Sequence, residues 1–145
     1  RLNRNINAPG SISKHPALSP NGATLYFASN RAGGFGEMDL WMSFSSNGIN
    51  WSEPKNLGKE INTPFKEGSP FFDPKQNKLF FSSNGHRGFG GFDIYLANGI
   101  SLKKTEVYNL GYPFNSNKDD IFVVFGESKG YLSSNRNGGP GKYDI

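Results

Sequence analysis

The chain has no cysteine. Disulfides, thiolate metal sites and a cysteine nucleophile are therefore excluded. Long apolar runs are also missing: the longest, residues 121–125, is far short of the roughly 20 residues a membrane-spanning helix needs. No basic-then-apolar segment opens the chain, so any secretion signal is expected to have been removed or to lie outside this sequence. Runs of like charge do not exceed pairs such as Lys103-Lys104. The 16 Lys and Arg against 12 Asp and Glu give a scattered charge of +4, which reads as a solvated surface and not as a nucleic-acid face. Hydrophobic residues are scarce at 34%. No eleven-residue window free of Gly and Pro shows helical periodicity.

What is present is aromatic and turn-forming: 13 Phe, 19 Gly and 9 Pro among 145 residues. That composition argues against a helix bundle and against disorder, and favours many short strands.

A repeat organises these residues. Ser29-Asn30-Arg31-Ala32-Gly33-Gly34-Phe35-Gly36-Glu37-Met38-Asp39-Leu40 aligns without gaps on Ser83-Asn84-Gly85-His86-Arg87-Gly88-Phe89-Gly90-Gly91-Phe92-Asp93-Ile94. Both align on Ser134-Asn135-Arg136-Asn137-Gly138-Gly139-Pro140-Gly141-Lys142-Tyr143-Asp144-Ile145. The shared pattern is S-N-x-x-x-G-x-G-x-x-D followed by Leu or Ile, at spacings of 54 and 51 residues. Around it, Leu25-Tyr26-Phe27 matches Leu79-Phe80-Phe81, Asn56-Leu57-Gly58 matches Asn109-Leu110-Gly111, and Ile6-Asn7-Ala8-Pro9 matches Ile61-Asn62-Thr63-Pro64. The chain opens late in one unit and stops inside the third copy, so a longer native protein is expected.

Each unit reads as four short strands. The first has them at about 14–18, 24–28, 38–44 and 50–57, with turns at Ser19-Pro20-Asn21-Gly22 and Ser46-Asn47-Gly48. The second has them at about 69–73, 78–82, 92–97 and 103–110. Four strands per unit at a period of about 50 residues is the signature of a β-propeller blade. Consecutive apolar positions, as in Leu79-Phe80-Phe81, fit strands buried on both faces. The expected fold is all-β: a propeller of four-stranded antiparallel blades, with the end of a preceding blade and linker at 1–13, blades at 14–64 and 65–117, and an incomplete blade at 118–145. These make about 2.7 blades, half of a six-bladed ring. An open half exposes bare edges, so further blades are expected from the same chain or another copy.

The S-N-x-x-x-G-x-G-x-x-D segment resembles the WD-like repeat of TolB-type propellers. With Trp51-Ser52-Glu53-Pro54, Asn56-Leu57-Gly58, Ile61-Asn62-Thr63-Pro64 and Glu67-Gly68-Ser69-Pro70, the sequence is most similar to propeller repeats of envelope proteins that also carry an OmpA-like peptidoglycan-binding module. The third unit departs from the pattern, with Asp119-Asp120-Ile121-Phe122 in place of the Glu-Gly-Ser-Pro stretch. The resemblance implies a non-enzymatic interaction scaffold of a bacterial cell envelope, periplasmic or outer-membrane-associated, within a secretion or anchoring assembly. Envelope proteins are the implied partners, and peptidoglycan would be reached through a domain outside this sequence. The alternatives are the gating or catalytic propeller of a prolyl-oligopeptidase-like or sialidase-like hydrolase, or a carbohydrate-binding propeller.

The candidate sites sort by recurrence. One active site needs one-off residues, whereas a fold needs the same residue in every unit. Ser29, Asn30, Gly34, Gly36, Asp39 and their copies Ser83, Asn84, Gly88, Gly90, Asp93 and Ser134, Asn135, Gly139, Gly141, Asp144 are read as architecture. The aspartates are expected to accept from turn N–H groups or the Ser-Asn side chains. The glycines are expected to supply positive φ in a wide hairpin; a phosphate-cradling loop would need a helix to follow. Phe35 and Phe89 between glycines, with Arg31 and Arg136, are candidate rim contacts. His15 and His86 stand at different registers and form no metal signature, and His86 is expected at the surface. Glu37, Glu60 and Glu67 occur in single units, yet nothing marks them as catalytic. Residues 45–51 resemble the Asp-box hairpin, itself a structural turn. No nucleophile elbow occurs. No catalytic residue, cofactor, metal, nucleic-acid partner or membrane span is assigned.

Overall fold

The computed structural model describes residues 1–100 and 105–145. These form ten strands and no helix: β1 (Ser13–Leu18), β2 (Thr24–Ser29), β3 (Asp39–Phe44), β4 (Lys55–Asn56), β5 (Glu67–Asp73), β6 (Lys78–Ser83), β7 (Asp93–Asn98), β8 (Glu106–Asn109), β9 (Asp120–Phe125) and β10 (Gly130–Ser134). They assemble as three antiparallel sheets in chain order, β1-β2-β3-β4, β5-β6-β7-β8 and β9-β10, and none is closed.

The repeat dictates this local structure. β2 and β6 each lie between two strands and bury both faces, which is why Leu25-Tyr26-Phe27 and Leu79-Phe80-Phe81 run apolar without alternation. β3 and β7 share one burial pattern from unlike sequences. The first turn is closed by Gly22 N–H donating to Ser19 O at 2.8 Å, and Ser19 Oγ accepts from Thr24 N–H at 2.9 Å.

The fourth strand of the first unit, expected at about 50–57, is shorter than the sequence predicts and covers only Lys55–Asn56. Trp51 turns into the core, and Pro54 has no N–H to pair. Ser52 instead pairs with Phe44 through its backbone N–H and, on the other side, through its hydroxyl, which accepts from Phe44 N–H at 3.1 Å. In the second unit, the start of the strand predicted at 103–110 lies outside the described residues, and β8 covers Glu106–Asn109.

Apolar side chains fill the gaps between sheets. Tyr26, Ala28 and Leu40 of the first sheet pack on Leu79, Phe81, Tyr95 and Ala97 of the second. Phe80 and Ile94 pack on Val123, Phe125 and Leu132 of the third. The outer face of the first sheet, Leu25, Phe27 and Trp41, is covered by Ile6 and Trp51. Phe27 and Phe81 are completely buried, and truncating either to Ala would cost about 3–5 kcal/mol.

Polar bonds couple each sheet to the next. Met38 bridges Lys66 in parallel, and Glu67 N–H donates to Met38 O at 2.7 Å. One repeat later, Asp120 N–H donates to Phe92 O at the same distance. Beside this seam an asparagine stands in for a strand. Asn62 accepts from Leu40 N–H at 2.7 Å and donates to Leu40 O and Asn56 Oδ1. Asn115 repeats all three bonds on Ile94 and Asn109. Both asparagines are buried.

Replacing Asn62 with Ala strands the Leu40 N–H in the core. We expect a loss of about 2–3 kcal/mol, read from the urea midpoint. Asn7, at the matching position of the preceding segment, makes one exposed bond to Leu2 O. Asn7→Ala should shift stability by no more than about 0.5 kcal/mol.

Candidate functional site

The three glycine hairpins are built alike. The asparagine after each repeat serine closes the mouth of its hairpin. Asn30 pairs with Ile12, Asn84 with Lys66 and Asn135 with Asp119, each giving its backbone N–H and accepting at Oδ1. The repeat aspartates then reach back across the loop. Asp39 accepts from Phe35 N–H at 2.6 Å and Gly36 N–H at 3.0 Å, and Asp93 accepts from Phe89 and Gly90. In the third copy Pro140 occupies the phenylalanine position and has no N–H, so Asp144 keeps only Gly141. Asp39 and Asp93 are buried, each within its own hairpin.

The glycines serve a different need from the one expected. None of Gly34, Gly36, Gly88, Gly90, Gly139 and Gly141 has positive φ; in these loops that conformation falls to Gly33 and Gly138. The reason for glycine is close approach. A Cβ on Gly34, Gly88 or Gly139 would fall on the aspartate of its own hairpin. One on Gly36 would fall on Thr63 O, and one on Gly90 on Lys118 O, both in the linker that leads into the next sheet. The hairpin is bare there so that the next unit can lie against it.

Arg31 and Arg136 turn inward. Arg31 donates to Asn5 O and Ile6 O at 2.7 Å each and lies over the rings of Phe27 and Trp41. Arg136 donates to Pro113 O and Phe114 O and pairs with Asp120 at 2.6 Å. The second unit has Gly85 at this register, because a Cβ there would strike Thr63. The neighbouring His86 takes over, its Nε2 2.9 Å from Ile61 O, the matching linker carbonyl. His86 is thus half-buried and structural, where the sequence predicted a surface residue.

Phe35 and Phe89 remain in solvent, 51% and 63% exposed at equivalent hairpin tips.

Two further positions escaped the repeat pattern. At the head of the first strand stand Ser13, Glu67 and Asp120. Glu67 accepts from Thr63 N–H, Thr63 Oγ1 and Ser83 Oγ, and Asp120 from Ser116 N–H, Ser116 Oγ and Arg136. Both carboxylates are fully buried. Burial raises the Glu67 pKa, and its hydrogen bonds only partly offset that. Burial also acts upward on Asp120, but bonds from Ser134, Arg136 and Ser116 outweigh it and the pKa is lowered. The second position is His15, Ser69 and Phe122, in register on β1, β5 and β9 and all left-handed, with φ of 53°, 49° and 54°. Each costs about 1–2 kcal/mol of backbone strain. His15 Nδ1 accepts from Ser69 N–H at 3.1 Å, and its ring meets Phe122 edge-on at 4.9 Å. Burial, then Lys14, lowers the His15 pKa and favours the neutral ring that this bond requires. The residues of these two positions differ between units, so recurrence could not find them; the recurring Thr63-Ser83 and Ser116-Ser134 pairs were the only sequence trace of the first.

No family model matches the chain, and no curated protein matches it. No helix of the described residues is long and apolar enough to cross a membrane.

The two buried acids predict opposite pH signatures. The Asp120 contribution is present above the ordinary aspartate pKa of 3.8 and is lost as pH falls through its lowered folded value. Asp120→Asn should therefore cost about 2 kcal/mol near neutrality, mostly from buried hydrogen bonds and little from the half-exposed Arg136 pair, and less in acid. The Glu67 contribution is complete below 4.5 and declines as pH rises through its raised folded value. The cost of Glu67→Gln should be largest in acid. Urea midpoints across the acid-to-neutral range check both signs.

Proposed function

We propose that this chain is part of a β-propeller that works as a non-enzymatic interaction scaffold in a bacterial cell envelope, periplasmic or outer-membrane-associated. Three features support the propeller. The first strands touch in sequence, β1 on β5 and β5 on β9, and His15 reaches Phe122 across β5. Among the described residues β4 and β8 make no such contact, so the sheets fan outward from their first strands. The seam from Met38 to Glu67 recurs from Phe92 to Asp120, a step that can be iterated around a ring. The envelope assignment rests on the likeness of the repeat to TolB-type propellers.

The observation that carries the scaffold reading is the contrast at the hairpin. Its recurring carboxylate, amide and guanidinium groups are spent on the protein's own backbone, while Phe35 and Phe89 stand exposed at rigid, equivalent tips. Paired aromatics held by hydrogen-bonded loops are contact residues for a protein partner, since they bury large area at little entropic cost.

A photo-crosslinking residue placed at Phe35 or Phe89 should yield one and the same adduct from a bacterial envelope fraction. Placed at Phe44, exposed at the opposite end of β3, it should not. The Phe35→Ala, Phe89→Ala double variant should lose the adduct and stay within about 1 kcal/mol of wild-type stability. Equal adducts at Phe44, or a loss of roughly 3 kcal/mol or more, would refute the rim assignment.

A further inference from the structure

Where β5 meets β9, the first strands and the residues preceding β3, β7 and the last aspartate enclose a cavity of about 230 Å³. Met38, Phe92, Ile121 and Phe122 give it apolar walls. Ser82, His15 and two lysines supply polar character. Ser82 is 1% exposed and lines the cavity, and its Oγ has no hydrogen-bond partner. Such an orphaned hydroxyl is costly to bury and marks an unfilled donor. His15 also lines the cavity; its Nδ1 is committed to Ser69 N–H, which leaves Nε2 to carry the ring proton outward. The cations are Lys14 and Lys66. Lys66 is neutralised by Glu37 at 3.0 Å, whereas Lys14 has no carboxylate partner among the described residues. Glu67 borders the cavity, but its carboxylate is turned to Thr63 and Ser83. The strained residues His15, Ser69 and Phe122 all face this space, in keeping with backbone strain collecting at ligand sites.

One uncompensated positive charge, two neutral donors and apolar walls fit a monoanion on an apolar body. We propose that this cavity binds a small carboxylate, its oxygens taken by Ser82 Oγ, His15 Nε2 and Lys14 Nζ and its hydrocarbon lying against Met38, Phe92 and Phe122. The source is either a free short-chain acid or the C-terminus of an apolar peptide. The assignment does not rest on the rim reading above, and the hairpin tips take no part in it.

Hexanoate is the probe, with hexanamide as the uncharged match. Titration followed by amide NMR should give saturable shifts at Ser69, Ser82 and Phe122 with hexanoate, and none with hexanamide. Ser82→Ala and Lys14→Gln should each weaken binding about tenfold or more. Ser82→Ala is a safe variant, because the repeat itself places buried Ala28 at the equivalent position. An apolar dipeptide that competes when its C-terminus is free, but not when amidated, would assign the ligand to a protein terminus; a dipeptide that does not compete would assign it to a free acid. Equal shifts with hexanamide, no shifts at these amides, or affinity unchanged in both variants would overturn the proposal.

Discussion

A buried asparagine that takes the place of a missing strand is what the rest of this structure depends on. The fourth strand of the first unit has only two residues and cannot cover β3 alone. Asn62 supplies the acceptor for the Leu40 N–H, joins the Leu57 N–H as a second donor to Leu40 O and ties itself to Asn56, and Asn115 does the same for Ile94 beside Leu110 one unit later. Because each asparagine lies in the linker to the next sheet, satisfying β3 also fixes where the following unit starts. Local hydrogen-bond completion and inter-unit geometry thus become one requirement. The bare glycines follow from it, since the linker held by Asn62 passes directly over Gly36.

The sequence made the all-β class legible because periodic turns and consecutive apolar residues leave little else to build. The roles of its residues were less legible. The aspartates could be placed by recurrence, but the glycines were assigned to backbone conformation when their cause is close approach, for Gly34, Gly88 and Gly139 by the aspartate of the same hairpin and for Gly36 and Gly90 by Thr63 and Lys118, 27 and 28 residues away in the chain. Spacing carries no information about such an approach. His86 was hidden for a related reason: it does the work of Arg31 from one register later, a shift forced by Thr63 that no gapless alignment reveals. The left-handed triplet of His15, Ser69 and Phe122 shares a backbone state and no side-chain chemistry, so recurrence was blind to it.

Recurrence also divides the molecule by purpose. Groups repeated in each unit are absorbed by hairpins and seams and have little chemistry left for a partner. Among the groups left for a partner are the exposed aromatic tips of the hairpins and the non-repeating lining where the first strands meet. A rigid frame that spends its polar groups on itself suits a scaffold, because contact residues held this way lose little freedom on binding.

Native-state hydrogen exchange at the Leu40 and Ile94 amides tests the central claim most directly. If the asparagine clasps bind the units into one cooperative body, both amides should exchange only through global unfolding, with the same opening free energy and the same dependence on denaturant. Rapid exchange of either amide through local opening, or clearly different opening energies in the two units, would contradict the account.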